Sequence, residues 1–265
     1  MRCSCRREGG GGPVPRDCSV LMDCIVRRVA SAHVAATPEG LHTQAQALRA
    51  AGDHAAAAAA LLQQAVGLGH TLSRADLADM LIWGREGVAQ DRDRAFDLVE
   101  EGARLGCHHC QGVLARCCFD GFGCSKDAAR SLALARASAG EGSKYGQRVL
   151  GRLYQVGAGG VRQDYAAAVA QFRLAAAQGY DTAQNDVGFM YSNGYGVAQD
   201  YAEALRWYKL AAAQGLGAAL MWIGLYYEKG RVVAADRAEA IRWYKRAAAA
   251  GNSGAVGALK RLGVM

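Results

Sequence analysis

The sequence contains very little proline. Three of its 265 residues are proline, and all three (Pro13, Pro15 and Pro38) precede residue 40. Because proline removes a backbone donor and breaks helices, no residue of this kind interrupts helix formation from residue 40 onwards. Glycine, by contrast, is abundant, with 34 residues. Since a glycine inside a helix costs about 1 kcal/mol, a helical chain of this composition is expected to place glycine at fixed positions, as caps or points of close contact.

A long apolar run is also absent. No stretch approaches the roughly 18 apolar residues of a transmembrane helix, so no membrane span is predicted. The apolar stretch at residues 20–29 is short and is interrupted by Asp23, Arg27 and Arg28, which argues against a secretory signal. We therefore expect residues 1–39 to form a disordered or weakly helical leader and the chain to be cytoplasmic, with organelle targeting by the leader left open.

No run of like charge is found either. The net charge is +7, but the basic residues are interleaved with acidic ones along the chain. This pattern is typical of a solvated surface, so nucleic acid is not predicted as a partner, while acidic partners are weakly favoured.

Catalytic motifs are missing as well. The six histidines avoid the well-formed repeats, so none can be assigned as the base of a serine or cysteine nucleophile, and no phosphate-binding G-K-S/T sequence follows the glycine-rich loops. The sequence therefore predicts neither an enzyme nor a bound cofactor.

What the sequence does contain is an internal repeat of about 36 residues. Residues 182–215 align with residues 218–251, and matching residues are 36 positions apart, as in Gly188/Gly224, Tyr191/Tyr227 and Trp207/Trp243. Three further units precede them, at residues 77–106, 114–142 and 150–179. We interpret residues 71–256 as five repeats, residues 40–70 as a degenerate capping hairpin and residues 257–265 as a C-terminal tail.

Each unit has the pattern of two antiparallel helices, A and B. A glycine in helix A, such as Gly188, removes a side chain where a neighbouring helix must come close, and a glycine-rich loop reverses the chain. An aspartate then stands where helix B needs its N-cap, and Gly215 and its equivalents are expected to end helix B. One such hairpin cannot bury its own apolar stripe, whereas stacked hairpins can, so the pattern predicts an all-α solenoid. The predicted N-cap residues are Asp91, Asp127, Asp164, Asp200 and Asp236.

The phrases DYAEALRWYKLAAAQG and LGRLYQVGAGGV resemble the Sel1-like repeat family, a relative of the tetratricopeptide repeats, over about residues 71–256. Units one and two depart from the pattern, with Leu81 and Cys118 in place of the helix-A tyrosine. The resemblance implies a right-handed superhelix of hairpins that works as an adaptor or scaffold for other proteins, in signalling, secretion or protein quality control.

The resemblance to tetratricopeptide hairpins also implies a concave groove lined by exposed positions of helix A. Their arrangement predicts a basic middle (Arg116, Arg148 and Arg152) and an apolar C-terminal half, a groove suited to a peptide with an acidic anchor beside apolar side chains. The alternative is that these arginines are only solvated. The positions are Asp79, Ile82, Arg116, Phe119, Arg148, Arg152, Gln155, Asn185, Phe189, Ser192, Met221, Leu225 and Glu228.

The five cysteines between residues 107 and 124 allow a second interpretation, a zinc- or redox-linked regulatory protein. Cys107, His108, Cys110 and Cys117 are the candidate ligands. Against zinc, a second C-x-x-C is missing, and Cys110 and Cys118 fill the alanine and tyrosine positions of the repeat, where buried cysteine is an ordinary small hydrophobe. Cysteine-rich relatives carry one disulfide per hairpin, but here the residue opposite Cys110 is Ala103. We therefore expect no metal and reduced thiols.

Two further functions stay open. Residues 15–29 have a faint likeness to the first helix of an F-box, which would imply substrate selection for ubiquitin ligation. The resemblance to cysteine-rich relatives also implies a hydrolase-like activity as an alternative, although no catalytic residues can be assigned to it.

Overall fold

The computed structural model describes residues 37–50, 55–84 and 88–264. These ranges belong to one compact unit, which runs from Thr37 to Met265. The F-box-like stretch and residues 1–36 of the predicted leader lie outside the described residues.

The described part of the chain contains thirteen α-helices and no β-strand. None of these helices has the length and apolarity that crossing a membrane requires. The helices are α1 (Pro38–Ala50), α2 (Ala55–Gly67), α3 (Thr71–Trp83), α4 (Arg92–Arg104), α5 (His108–Asp120), α6 (Ala128–Gly140), α7 (Lys144–Val156), α8 (Tyr165–Ala177), α9 (Asp181–Asn193), α10 (Tyr201–Ala213), α11 (Gly217–Lys229), α12 (Arg237–Ala249) and α13 (Ser253–Arg261).

The helices form successive hairpins stacked into an α-solenoid, as the repeat predicted. Helices α3, α5, α7, α9 and α11 are the A helices of the five repeats, and each is followed by its B helix. The α1–α2 hairpin precedes them, beginning at Pro38 inside the predicted leader. At the other end, α13 runs into the predicted C-terminal tail, because Ala255 and Leu259 are buried in the core cluster that includes α12.

The caps of the B helices agree with the sequence prediction. Asp91, Asp127, Asp164, Asp200 and Asp236 each have extended backbone and accept a hydrogen bond from a backbone N–H in the first helical turn. At the end of α10, Gly215 (φ +80°) donates to the Ala212 carbonyl and Leu216 donates to the Ala211 carbonyl. This pair of bonds is a Schellman motif with glycine at C′, which satisfies carbonyls left open at the helix end.

The glycine of helix A permits close approach, as predicted. A Cβ atom added at Gly188 would lie 2.8 Å from Cε1 of the Tyr208 ring, and one added at Gly224 would lie 2.8 Å from the Tyr244 ring. Both tyrosines are fully buried. The apolar stripe of α10 is buried at Ala204, Tyr208, Ala211 and Ala212, whereas the adjacent Trp207 is only partly buried.

Candidate partner-binding site

The first and last hairpins of the solenoid face a common cavity of about 540 Å³. Helices α1 and α3 contribute Arg49, Met80 and Trp83, and α7 contributes Arg148. The other side is formed by the first turns of α9 and α11, the end of α12 and the first residue of α13. These elements supply Thr182, Asn185, Asp186, Leu216, Gly217, Leu220, Arg246, Ala249 and Ser253.

The predicted groove residues are less accessible than the sequence suggested. Arg148 and Asn185 line the cavity, but none of the thirteen predicted positions is exposed. Phe119, Arg152, Gln155, Asn185, Phe189, Met221, Leu225 and Glu228 are partly buried. The prediction of exposure is wrong, most clearly for the five that are buried: Asp79, Ile82, Arg116, Arg148 and Ser192.

Arg116 is buried because carboxylates of its own and the preceding repeat surround it. Its Nη1 donates to Asp79 Oδ1 at 3.0 Å, and its Nε lies 3.6 Å from Asp120 Oδ2. The guanidinium carbon also lies 4.0 Å from the ring centroid of Trp83, a cation–π contact that covers its remaining face. Arg116 is therefore not available to bind the acidic group of a partner, contrary to the sequence prediction.

Arg152 is also paired. Its Nη1 lies 3.0 Å and 2.9 Å from the two carboxylate oxygens of Asp120, and its guanidinium lies over the Phe119 ring at 4.7 Å. Asp120 thus bridges Arg116 and Arg152, and the predicted basic middle of the groove is largely neutralised at these two positions.

Arg148 is the one of these three arginines that lines the cavity. Its Nε donates to Asp186 Oδ2 at 2.7 Å, while its buried Nη1 has no hydrogen-bond partner among the described residues. Burial works against the charged form, but Asp186, Tyr180 and Asp79 together outweigh it and raise the pKa of Arg148, so the guanidinium stays charged. A charged donor at the cavity wall therefore has unused hydrogen-bonding capacity.

Two other residues at the wall have the same property. Thr182 Oγ1 and Asn185 Oδ1 are buried and lack a hydrogen-bond partner within the described ranges. Nearby, α11 begins at Gly217, and its N-cap residue Leu216 provides no side-chain cap. No side chain therefore caps the backbone donors in the first turn of this helix. Unpaired polar atoms of this kind are uncommon in a folded interior and indicate a place where a ligand or water could bind.

Behind Arg49, the buried Asp76 organises a second polar cluster that the sequence analysis missed. Lys144 Nζ and Arg49 Nη1 lie 3.6 Å and 3.4 Å from its Oδ1, to which the Tyr145 hydroxyl also donates. Burial alone would raise the pKa of Asp76, but Lys144, Arg49 and the Tyr145 hydrogen bond together hold it well below its usual range. The neighbouring Asp79 accepts a 2.8 Å hydrogen bond from Tyr180, which lies 101 residues away in sequence.

A signal for these pairs was present in the sequence. Asp79 and Arg116 are 37 positions apart, and Arg148 and Asp186 are 38 apart, so opposite charges recur at nearly the repeat length. In a solenoid, residues separated by one repeat lie beside each other on adjacent A helices. Opposite charges at that spacing therefore indicate an ion pair between repeats.

Two further predicted groove positions, Glu228 and Ser192, form hydrogen bonds within the solenoid. Glu228 accepts from Arg261 at 2.7 Å and 2.8 Å and from Tyr244 at 2.7 Å, and Tyr226 donates to Ser192 at 2.9 Å. Hydrogen bonds from Arg261 and Tyr244 lower the pKa of Glu228 to about 2, although burial works in the opposite direction.

The cysteine cluster does not converge. Cys107, Cys110, Cys117, Cys118 and Cys124 are free thiols. Within the ranges that the structure covers, no three His, Cys, Asp or Glu side chains come together where a metal ion could bind. Cys107, His108 and Cys110 lie at the N-terminal end of α5, whereas Cys117 lies near its C-terminal end.

The chain is similar to solved structures of Sel1 repeat proteins. A Sel1 repeat protein from Oxalobacter formigenes is 29% identical, with a TM-score of 0.56 over 77% of this chain and 87% of that one. A protective antigen of uropathogenic Escherichia coli with a Sel1-like repeat fold is 30% identical, with a TM-score of 0.52 over 74% of this chain, which spans 42% of the E. coli protein.

A Sel1 repeat protein from Klebsiella pneumoniae, 21% identical with a TM-score of 0.52, shares the fold over 77% of this chain and 99% of its own. Comparison with curated proteins gives no match. The Sel1 repeat family itself matches five consecutive segments, residues 72–107, 108–143, 144–180, 181–216 and 217–252, each of which contains one A helix and one B helix. The chain therefore belongs to the Sel1 repeat family.

Proposed function

We propose that this chain is a scaffold that binds a segment of a partner protein in the cavity between its first and last hairpins. Sel1 repeats generally serve protein–protein interaction. A cavity of about 540 Å³ has room for a few side chains of a partner, but not for a folded domain.

The observation that carries this proposal is the set of arginines around the cavity. Arg148 offers an unpaired Nη1, and Arg246 is exposed and forms no ion pair within the described ranges. Arg49 also lines the cavity, but its guanidinium is paired with Asp76. Because an arginine guanidinium recognises a carboxylate through two parallel hydrogen bonds, the wall favours an acidic group on the partner.

Apolar side chains adjoin the arginines. Trp83 lines the cavity with 42% of its surface exposed, and Met80 and Leu220 lie deeper in the wall. A partner segment that carries an aspartate, a glutamate or a terminal carboxylate beside large apolar residues matches this lining. The proposal keeps the acidic and apolar partner expected from the sequence. Of the predicted anchors it retains Arg148, drops Arg116 and Arg152, and adds Arg246.

The test compares two arginines of α12. Arg246→Leu introduces the residue that the two preceding repeats carry at the equivalent positions, Leu174 and Leu210, so the fold is expected to tolerate it. Arg242→Ala is the matched control, because Arg242 pairs with Glu239 on the surface, does not line the cavity and corresponds to Ala170 two repeats earlier.

Both variants and the unchanged protein are offered a random peptide pool, and retained peptides are identified by mass spectrometry. We expect enrichment of acidic residues next to apolar ones and, for an enriched peptide, binding about ten- to a hundredfold weaker for Arg246→Leu, since hydrogen bonds to charged groups contribute about 1.5–3 kcal/mol. Arg242→Ala should bind as the unchanged protein does. Equal binding by Arg246→Leu, or peptides without acidic enrichment, would refute the proposal.

A further inference from the structure

Two thiols meet at the N-terminus of α5. Cys107 is the N-cap residue of this helix, and the Cys110 backbone N–H donates to its Sγ at 3.5 Å. The same capping position at α13 is filled by Asn252, whose Oδ1 accepts from the Ala255 N–H at 2.9 Å. Cys107 thus places its sulfur where helices usually place a polar acceptor, in the direction of the positive end of the helix dipole.

The second sulfur lies beside the first. Both sulfurs lie near one atom, the Thr71 carbonyl oxygen of the preceding repeat, at distances of 3.7 Å from Cys107 Sγ and 3.4 Å from Cys110 Sγ. Gly102 of α4 provides the space, since a Cβ atom there would lie 2.4 Å from Cys110 Sγ. Cys110 is fully buried, whereas Cys107 is partly accessible.

Packing alone accounts for other cysteines of this repeat but not for this pair. Cys117 and Cys118 are buried in the core, where cysteine acts as a small hydrophobe. Cys107 is partly accessible at a capping position, and its C-x-x-C partner is the thiol nearest to it on the same turn. One accessible and one buried thiol at a helix N-terminus are the arrangement that thiol–disulfide exchange requires.

We propose that Cys107 and Cys110 form a redox-active dithiol, which a low-molecular-weight disulfide such as oxidised glutathione converts into an intramolecular disulfide. The Cys107 thiolate attacks one sulfur of the glutathione disulfide, forming a mixed disulfide and releasing one glutathione thiolate. The Cys110 thiol then loses its proton and attacks Cys107 Sγ, which releases the second glutathione. The protein dithiol loses two electrons and two protons, and one glutathione disulfide becomes two glutathione thiols.

The acidities of the two thiols support this division of roles. A hydrogen bond from the Cys110 thiol, helped by backbone N–H groups of Cys110 and His109, lowers the pKa of Cys107 to about 6 although burial opposes the charge. The same hydrogen bond and its burial raise the pKa of Cys110. At neutral pH, Cys107 is therefore the thiolate that attacks and Cys110 the thiol that resolves.

This site is separate from the proposed function, because neither cysteine lines the cavity. A failure of partner binding would leave the dithiol unaffected, and the reverse holds as well.

Trypsin makes the test direct. Cleavage after Arg104 and Arg116 gives the peptide LGCHHCQGVLAR, residues 105–116, whose only cysteines are Cys107 and Cys110. The next peptide, residues 117–126, carries Cys117, Cys118 and Cys124 and serves as the internal control. The folded full chain is equilibrated with mixtures of oxidised and reduced glutathione, free thiols are alkylated, and both peptides are weighed by mass spectrometry.

Three chains are compared, because serine is native at both positions elsewhere in the array. Ser143 takes the Cys107 position in the next repeat, and Ser73 takes the Cys110 position in the preceding one, so Cys107→Ser and Cys110→Ser are expected to fold. Circular dichroism verifies this.

The unchanged protein should give a 105–116 peptide that has lost two hydrogens and resists alkylation until it is reduced. Cys110→Ser should carry a single glutathione on Cys107. In Cys107→Ser, the Cys110 thiol should react with oxidised glutathione more than about tenfold more slowly than the Cys107 thiol does in the unchanged protein. The proposal is overturned if peptide 105–116 keeps two free thiols under conditions that oxidise peptide 117–126, or if it carries glutathione without an internal disulfide.

Discussion

In the A helix of repeats three, four and five, a glycine lies against an aromatic ring of the B helix. Gly151 faces Phe172, Gly188 faces Tyr208, and Gly224 faces Tyr244. The rings are fully buried, so the space that the missing side chain leaves is occupied. Glycine weakens a helix, and the packing of the ring offsets that cost.

Replacing Gly188 by alanine should therefore destabilise the protein by about 1–2 kcal/mol. Overpacking costs about 1–3 kcal/mol, and the better helix propensity of alanine recovers up to about 1 kcal/mol. Gly140→Ala in α6 is the control, because a Cβ atom there would meet nothing within 4 Å. Urea denaturation should give a lower midpoint for Gly188→Ala and an equal or higher one for Gly140→Ala. A stabilised Gly188→Ala variant would contradict this packing.

The low pKa of Cys107 makes its reactivity depend on pH. The rate at which iodoacetamide alkylates Cys107 in the folded chain, read from peptide 105–116, should reach half its maximum at pH about 6, since only the thiolate reacts. In Cys110→Ala the main stabilising hydrogen bond is lost, and the midpoint should move up towards the ordinary value of about 8.5. The groups around this sulfur are Cys110, His108 and His109 of α5 and Arg74 of α3. An unchanged midpoint in Cys110→Ala would show that Cys110 does not tune Cys107.

Within each element, local chemistry determines where helices begin and end. Each B helix has an aspartate as N-cap, and at its end a glycine with positive φ follows the C-cap residue, as Gly215 follows Gln214 in α10. These positions were predictable because capping depends only on residues a few positions apart.

Loss of one of these caps should cost about 1 kcal/mol. Asp200 accepts hydrogen bonds from Ala202 N–H and Glu203 N–H at 2.8 Å and 2.9 Å. We expect Asp200→Ala to lower the free energy of unfolding by this amount and Asp200→Asn, which keeps an acceptor oxygen, to change it by only a few tenths of a kcal/mol. Hydrogen exchange of the first turn of α10 provides a local measurement, and equal exchange in the two variants would contradict the role of the cap.

The limits of sequence prediction appear at the scale of neighbouring repeats. Helical periodicity showed that Arg148 and Arg152 share a face, but not that Asp186 and Asp120 lie opposite them. It also gave no indication that Tyr180 reaches Asp79 across 101 residues. The Tyr180–Asp79 contact depends on how strongly the superhelix curves, which is the sum of small rotations between hairpins and is not encoded in any single repeat.

Across the whole molecule, the buried ion pairs connect the A helices to one another. Asp79→Asn would remove the nearest counter-charge of the buried Arg116, whose other carboxylate partner, Asp120, lies 3.6 Å away. We expect a loss of about 3 kcal/mol, because removing one partner of a buried ion pair is strongly destabilising. Asp97→Asn on the exposed face of α4 is the control and should change stability by less than about 0.5 kcal/mol. Urea denaturation compares the two variants. An Asp79→Asn variant with unchanged stability would show that the Asp79–Arg116 pair does not hold the repeats together.

The cavity between the first and last hairpins is the central claim of this account, and photo-crosslinking tests it most directly. A benzophenone amino acid replaces Trp83, which is exposed at the cavity wall, or Leu210, which is exposed on α10 away from it. With the peptide selected on the unchanged protein, irradiation should link the peptide at position 83 and leave position 210 free. Efficient linkage at position 210 with none at position 83 would show that partners bind outside the cavity and would contradict the account.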